Sequence, residues 1–389
     1  MIYMDYNATT PVHPEVLEAF LPFYRASFGN PSSIHWAGRR VRAAVEEARE
    51  KLAGFLCCEP VEIIFTSGGS EADNLAIKGV ATAQVGKGNH IITTRVEHPA
   101  VLNSCLYLEQ KGYDITRLDV NREGQPDLAQ LEASITDRTI LISAMYANNE
   151  TGTIFPVAKI GEIAALHRIC FHCDAVQAAG KIPIDCREMN AGLLALSGHK
   201  LGAPQGIGAL VVRRGVKLHP LIHGGSQERN RRGGTENVAG IVALAKAYEL
   251  TQGSLAAESE RLAGLRDRLE QGILACIPDA LINGDKERRL PNTINISFAG
   301  VDADSLLANL DLAGIAVSSG AACSSGVLRS SHVLSAMGVE PGLARGSVRF
   351  SLGRENSPAD VDNLLALLPG IVERVRGAER IPHLTGFSI

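Results

Sequence analysis

Residues 90–120 read HIITTRVEHPAVLNSCLYLEQKGYDITRLDV. An apolar run, HIITT, gives way to a segment with helical spacing that starts near Pro99, and a second extended run, DITRLDV, follows. Strand, helix and strand in succession make a βαβ unit, and such units build parallel sheets. The same rhythm extends in both directions, from about residue 60 to 213. VEIIF leads into a helix from Glu71, and TILISAMY, ICFHC, LLALS and GIGALVV continue the series. A parallel sheet is covered by helices on both faces, which accounts for unbroken Val/Ile/Leu runs in place of alternation.

Outside this block, Ala37–Leu56 reads as a long helix laced with Arg and Glu. Two helical stretches, Glu236–Leu250 and Ala256–Cys276, lead out of it. Beyond Pro278 the strands shorten (ALING, TINISF, GIAVS, SVRFS) and alternate with helices near Asp304–Leu312, Ser331–Met337 and Pro358–Val375. The fold expected is α/β: a large domain over residues 15–258 with a mostly parallel, helix-covered sheet, and a smaller α+β domain from residues 1–14 and 259–389.

Composition fits that reading. The chain has 389 residues, 45% hydrophobic and 21% charged, an ordinary globular mix. A chain of this length buries a large core without disulfide or metal staples. The formal net charge of −4 disfavours a dedicated nucleic-acid binder, which concentrates basic groups against phosphates. No run of about 18 apolar residues predicts a membrane span. The start, MIYMDYNATT, has neither a basic nor an apolar leader region, and the eight cysteines are scattered, so reduced thiols in a cytoplasm are expected.

Five segments carry candidate chemistry. FTSGGSEADN (65–74) is a strand, a Ser/Gly turn and a helix start. Free backbone N–H groups there suit a phosphate, or simply a capped helix with Glu71 in its first turn. HCDAVQAAGK (172–181) puts Asp174 at the carboxyl end of a buried strand, where α/β sheets bind ligands, although an Asp there also caps a turn. Cys170, just before it, and Cys173 lack a second pair for zinc and read as core. ALSGHKLGAP (195–204) ends a buried strand at Lys200, hemmed by small residues, the setting of a Schiff-base lysine. SSGAACSSG (318–326) places Cys323 where there is nothing to bury, either a reactive thiol or an incidental surface cysteine. GSVRFSLGR (346–354) carries Arg349 on a strand, a fork for a carboxylate or an edge-strand charge.

Together with YMDYNATTPVHPEV, SFGNPSSIHWAGR, EHPAVLN, ANNETGTIFPV, SGHKLGAPQGIGAL and GGSQERNRRGGTENV, these segments span nearly the whole chain in one order. In that order the chain resembles the cysteine desulfurases, enzymes of the class V aminotransferase superfamily that depend on pyridoxal 5′-phosphate (PLP) and adopt fold type I. The short cysteine loop resembles the nitrogen-fixation and iron–sulfur-cluster branch. The resemblance implies that Lys200 carries PLP, Asp174 pairs with the pyridine nitrogen, and Gln177 bonds the phenolic oxygen. His98 would stack on the ring and relay protons. Gly69 and Ser70 would form the phosphate turn, with Ser197 and His199 on the phosphate and Thr235 supplied by a second subunit. Asn149 would contact cofactor or substrate, Arg349 would clamp the substrate carboxylate, and Asn7 would reach the site on the N-terminal segment. Cys323 would take sulfur from L-cysteine as a persulfide, leaving L-alanine, and hand it to an acceptor protein such as an iron–sulfur scaffold. A homodimer is implied by the role of Thr235.

The chain departs from the family pattern in three places. Gly69-Ser70 stands where Ala-Thr is frequent. Val327-Leu328-Arg329-Ser330-Ser331 follows the cysteine segment where Leu-Glu-Pro-Ser is common. Ile389 ends the chain short of the tail that housekeeping members dock on their scaffold, which leaves the acceptor open. Readings that compete are a selenocysteine lyase or an aminotransferase on the same fold, a catalytically dead scaffold protein, and a nicotinamide-dependent dehydrogenase, which lacks its G-x-G-x-x-G fingerprint here.

Overall fold

A computed structural model describes residues 1–319 and 331–379. Twelve strands run in chain order: β1 (Ile2–Tyr3), β2 (Ile63–Thr66), β3 (His90–Thr94), β4 (Asp114–Leu118), β5 (Thr139–Met145) and β6 (Cys170–Asp174). They continue with β7 (Leu193–Ser197), β8 (Gly208–Val212), β9 (Ala280–Asn283), β10 (Thr293–Phe298), β11 (Ile315–Ala316) and β12 (Ser347–Ser351).

Seven of these form one sheet in the order β2-β8-β7-β6-β5-β3-β4. All its neighbours are parallel except β8, which runs antiparallel to both β7 and β2. The apolar runs sit where continuous burial is required. Every residue of β5, β7 and β8 is buried, whereas the outer strand β4 is only partly covered. One apolar cluster lies on each face. The larger includes Leu52, Phe171, Cys173, Leu194 and Tyr248, and the other includes Ile64, Leu75, Ile91, Leu193 and Leu210. Cys170 and Cys173, three apart on β6, point to opposite faces, as a period of two demands, so each packs into a different cluster.

A third cluster binds Met4 to residues from Leu262 to Val375, around the antiparallel sheet β12-β10-β9 and the parallel pair β1-β11. The stretch 331–345 departs from that grouping, because Val333, Leu334, Met337, Val339 and Ala344 join the larger cluster of the first sheet. The two helical stretches expected over 236–276 are one helix, Val238–Cys276. Ile241, Leu244 and Tyr248 fix its first half to one core, and Leu262, Leu265, Leu269 and Ile273 fix its second half to the other. The polar segment around Gly253 crosses between them without a break, since one helical Gly costs only about 1 kcal/mol. No helix among the described residues is long and apolar enough to cross a membrane.

Candidate active site

The carboxyl ends of the parallel strands face the chain's first thirteen residues. That segment is stitched to both sheets. Tyr6 N–H donates to the Ser351 carbonyl at 3.1 Å, Thr10 N–H to the His199 carbonyl at 3.0 Å, and His13 N–H to the Gly202 carbonyl at 2.9 Å. The site lies along this seam.

Asp174 ends the central strand β6, paired with Met145 on β5 and Ala195 on β7, and is buried. One carboxylate oxygen, Oδ1, accepts the Val176 N–H at 2.9 Å, so the turn reading is correct locally. Burial pushes its carboxyl up, and His98, the Val176 N–H and Lys200 pull it back. His98 caps the helix Pro99–Glu109, its Nδ1 accepting from Ala100 N–H at 3.2 Å. Burial lowers its imidazole, partly countered by Asp174. Lys200 closes the short turn Gly198–Lys200 after β7, and its Nζ donates to the Asn7 carbonyl at 2.5 Å and the Ala8 carbonyl at 2.6 Å. Burial, helped by Arg349, brings its ammonium down to about 8. A lysine at that value has free amine available near neutral pH, as a nucleophile or base must.

The turn opposite depends on glycine. A Cβ on Gly69 would lie 2.7 Å from Val176 Cγ2 and 3.4 Å from Ser197 Cβ; one on Gly208 would meet the Gly68 Cα at 2.7 Å. The helix Gly69–Ala83 therefore starts tightly against the ends of β7 and the 174–177 turn. Ser70 is exposed in its first turn and Ser197 is buried. Glu71 does more than favour the helix dipole: its carboxylate accepts the Ser67 N–H at 2.8 Å and pairs with Arg232 at 3.0 Å. His199 meets Thr9 Oγ1 through Nδ1 at 3.1 Å, and burial lowers it to about 4, so it is neutral. Thr235 is exposed on the loop before the long helix.

Asn7 is the hub. Its carbonyl also accepts from Gln177 Nε2 at 3.0 Å, and its Nδ2 donates to Thr293 Oγ1 at 2.9 Å and to the Asn149 carbonyl at 3.2 Å. Arg349 lies on the outer strand β12 yet is buried. Its two terminal nitrogens donate to Asp5 Oδ1 at 2.7 Å and to the Asn149 carbonyl at 2.9 Å, and its Nε has no partner in the described residues. The seam thus brings together Lys200, Asp174, His98, Gln177, Asn7, Asn149 and Arg349. Gly69, Ser70 and Ser197 lie at the helix start beside it, and His199 precedes Lys200 in the short turn after β7. Cys323 lies outside the described residues.

Several residues here escaped the sequence reading. Asp5, which holds Arg349, looked like an early charge and nothing more. Lys181 stands four residues after Gln177, a spacing that was visible. Asp73 and Glu97 form a buried acidic layer beneath Asp174, with no sequence signal at all. Glu97 Oε1 accepts from Thr94 Oγ1 at 2.7 Å and Met145 N–H at 3.0 Å while Oε2 has no partner among the described residues, and burial raises it to about 8. Asp73 is raised by burial and by Asp174, 3.5 Å from a neutral His172.

The profile of the family described as Aminotransferase class-V matches residues 2–364. The chain belongs to the class-V aminotransferase family. Among its relatives in that family are the cysteine desulfurase IscS of Dictyoglomus turgidum, 52% identical over 96% of this chain and 95% of that protein, and the cysteine desulfurase IscS of Clostridium botulinum, 50% identical over 96% and 95%. The solved structure of a NifS-like protein superposes with a TM-score of 0.91 at 39% identity, covering 96% of this chain and 99% of that one. The mostly parallel sheet and helical cover are those of the class-V fold.

The residues present fit the cofactor that this family implies. Lys200 is an amine brought down to about 8, Asp174 is a buried carboxyl at the strand end, and the helix that starts at Gly69 packs beside them with Ser70 exposed in its first turn.

Proposed function

We infer that this chain is a PLP-dependent cysteine desulfurase that converts L-cysteine to L-alanine and passes the sulfur to an acceptor. The observation that carries this reading is the juxtaposition of Lys200, lowered to about 8, with Asp174 and His98 at the carboxyl edge of the sheet. Relatives at about half identity over nearly the full chain bear the same activity in their names.

Bound PLP supplies an electron sink for the bond broken at the substrate Cα. This chain's residues supply the rest. Lys200 holds the cofactor and then, as a free amine, moves the Cα proton. With PLP bound, Asp174 would keep a proton on the pyridine nitrogen, His98 would lie against the ring, and Gln177 would offer an N–H to the phenolic oxygen. Gly69, Ser70, Ser197 and His199, with Thr235 from a second copy, hold the phosphate. Arg349 and Asn149 receive the substrate carboxylate, with Asn7 fixing the segment that closes the site. The Cys323 thiolate forms an S–S bond to the substrate sulfur as the Cβ–S bond breaks, and protons returned to carbon complete alanine.

The proposal extends to a homodimer in the cytoplasm, to a protein acceptor such as an iron–sulfur scaffold, and to two structural units, 15–258 and 1–14 with 259–389. The grouping of Met4 with Leu262–Ile277, Ile294–Ile315 and Val348–Val375 around a separate core supports that division, with the stretch 331–345 packing on the other core.

The test is alanine formation from L-cysteine by PLP-loaded protein, beside Cys323→Ala and Lys200→Ala. Equimolar alanine and persulfide sulfur are expected from the wild type. Cys323→Ala should retain the visible cofactor band and lose alanine formation, and Lys200→Ala should lose both. 3-Mercaptopyruvate in place of alanine, with the amino group left on the cofactor, would make the protein an aminotransferase. Alanine from selenocysteine alone would make it a selenocysteine lyase.

A further inference from the structure

Lys181 has no role in the scheme above, yet it touches two of the site's central residues. Its Nζ donates to Gln177 Oε1 at 2.7 Å and to Asn7 Oδ1 at 3.0 Å. Burial and the neighbouring Lys200 and Arg349 push its ammonium well below the usual lysine range. Both contacts survive loss of that charge, because a neutral amine keeps two N–H groups, and two are in use.

The contacts decide which way the Gln177 carboxamide faces. Its two ends differ little in shape, so hydrogen-bond partners choose between them. Lys181 points an N–H at one end of the amide and the Asn7 carbonyl stands at the other, so the oxygen faces Lys181. The nitrogen is left to face the Asn7 carbonyl at 3.0 Å, the same carbonyl that accepts from Lys200 Nζ. The reverse orientation would set two carbonyl oxygens against each other and leave Lys181 facing an N–H₂. The Asn7 amide is fixed independently. Its Nδ2 donates to the Asn149 carbonyl and Thr293 Oγ1, and its Oδ1 also accepts from Asn292 Nδ2 at 3.2 Å. The base of the lysine is tied down as well, its carbonyl accepting from Ser259 Oγ at 2.8 Å on the long helix.

We propose that Lys181 is a positioning residue that locks the Gln177 carboxamide with its N–H, not its oxygen, turned toward the reacting lysine and hence toward the phenolic oxygen of bound PLP. This rests on the reading that Lys200 carries PLP. Without the lock, the amide can turn its oxygen to the phenolic oxygen, where two acceptors repel and the donor is lost.

The experiment is a pH titration of the visible absorption band of PLP-loaded protein, which reports the proton shared between the Lys200 linkage and the phenolic oxygen. A phenolic oxygen that has lost its donor is more basic and holds that proton to higher pH. Lys181→Met should therefore titrate about one pH unit higher, a tenfold change in protonated ratio at fixed pH. Lys181→Gln carries no charge but keeps a donor for Gln177, and should titrate like the wild type. Lys181→Met combined with Gln177→Leu should titrate as Gln177→Leu alone, because one residue acts through the other.

A wild-type titration in Lys181→Met, a shift in Lys181→Gln as large as in Lys181→Met, or additive shifts in the double variant would each overturn the proposal. Should Lys181→Met fail to fold, Lys181→Ala takes its place, with the same upward shift expected and a wild-type titration again overturning the proposal. A wild type that takes up no PLP at Lys200, and so shows no band, overturns the underlying reading of Lys200 instead.

Discussion

The two walls of the active site carry ionisable groups of opposite sign, and burial acts on both in the same sense. On the sheet side, Asp73, Glu97 and Asp174 are carboxyls that burial drives toward the neutral form. On the side of the N-terminal segment, Lys200 and Lys181 are amines that burial drives toward the neutral form. Arg349 is buried on the same side and pairs with Asp5. The lesson is that burial opposes charge on both walls, and specific partners decide which groups keep it. Asp174 is the one acid of the three with cationic groups, His98 and Lys200, pulling it back toward ionisation. It is also the one that the proposed chemistry needs charged.

The contrast breaks most severely at that residue. Asp174→Asn keeps the shape and removes the charge that would hold a proton on the cofactor ring. Alanine formation should fall by about 100- to 1000-fold in kcat, the usual loss for a preorganised electrostatic group, with the visible band retained. Single-turnover alanine formation would show it, and a loss under about tenfold would mean that the ring needs no partner there.

Arg349→Gln strikes the other wall. It removes the fork from Asp5 and from the incoming carboxylate. A hydrogen-bonded charge contact is worth about 1.5–3 kcal/mol, so KM for L-cysteine should rise about 10- to 100-fold. If kcat dropped while KM held, Arg349 would be supporting the N-terminal segment and not the substrate.

The smallest effect sharpens the contrast within the acidic wall, and concerns stability. Glu97 is raised to about 8 in the folded chain, far above the ordinary carboxylate range. Its neutral form is therefore favoured on folding. The stability it contributes is complete below the unfolded value and drains away as pH rises through about 8, because the folded state binds the extra proton. Glu97→Gln has no proton to lose. Its apparent melting temperature should fall less than that of the wild type between pH 6 and 9, by a few degrees, as scanning calorimetry at matched ionic strength would record. Parallel melting curves across that range would mean that Glu97 is ionised when folded.

Much of this architecture was readable from residue order. Strands β3, β7, β10 and β12 fall on the runs HIITT, LLALS, TINISF and SVRFS, because continuous apolar runs have few other ways to hide. Lys200 and Asp174 were legible because each follows such a run directly. The single helix Val238–Cys276 was not, since the polar turn around Gly253 resembles a break until both ends are seen anchored in different cores.

The sequence by itself determined the class of fold, the family, and the positions at strand ends where chemistry sits, since those follow from local pattern and residue type. Only the tertiary structure decided that Asp5 holds Arg349, that Asn7 joins Lys200, Gln177 and Lys181 through one carbonyl and one carboxamide, and that Asp73 and Glu97 lie beneath Asp174. The physical reason is the same for each: these contacts join residues scores to hundreds of positions apart, and the desolvation that sets their charges exists only once the chain has closed around them.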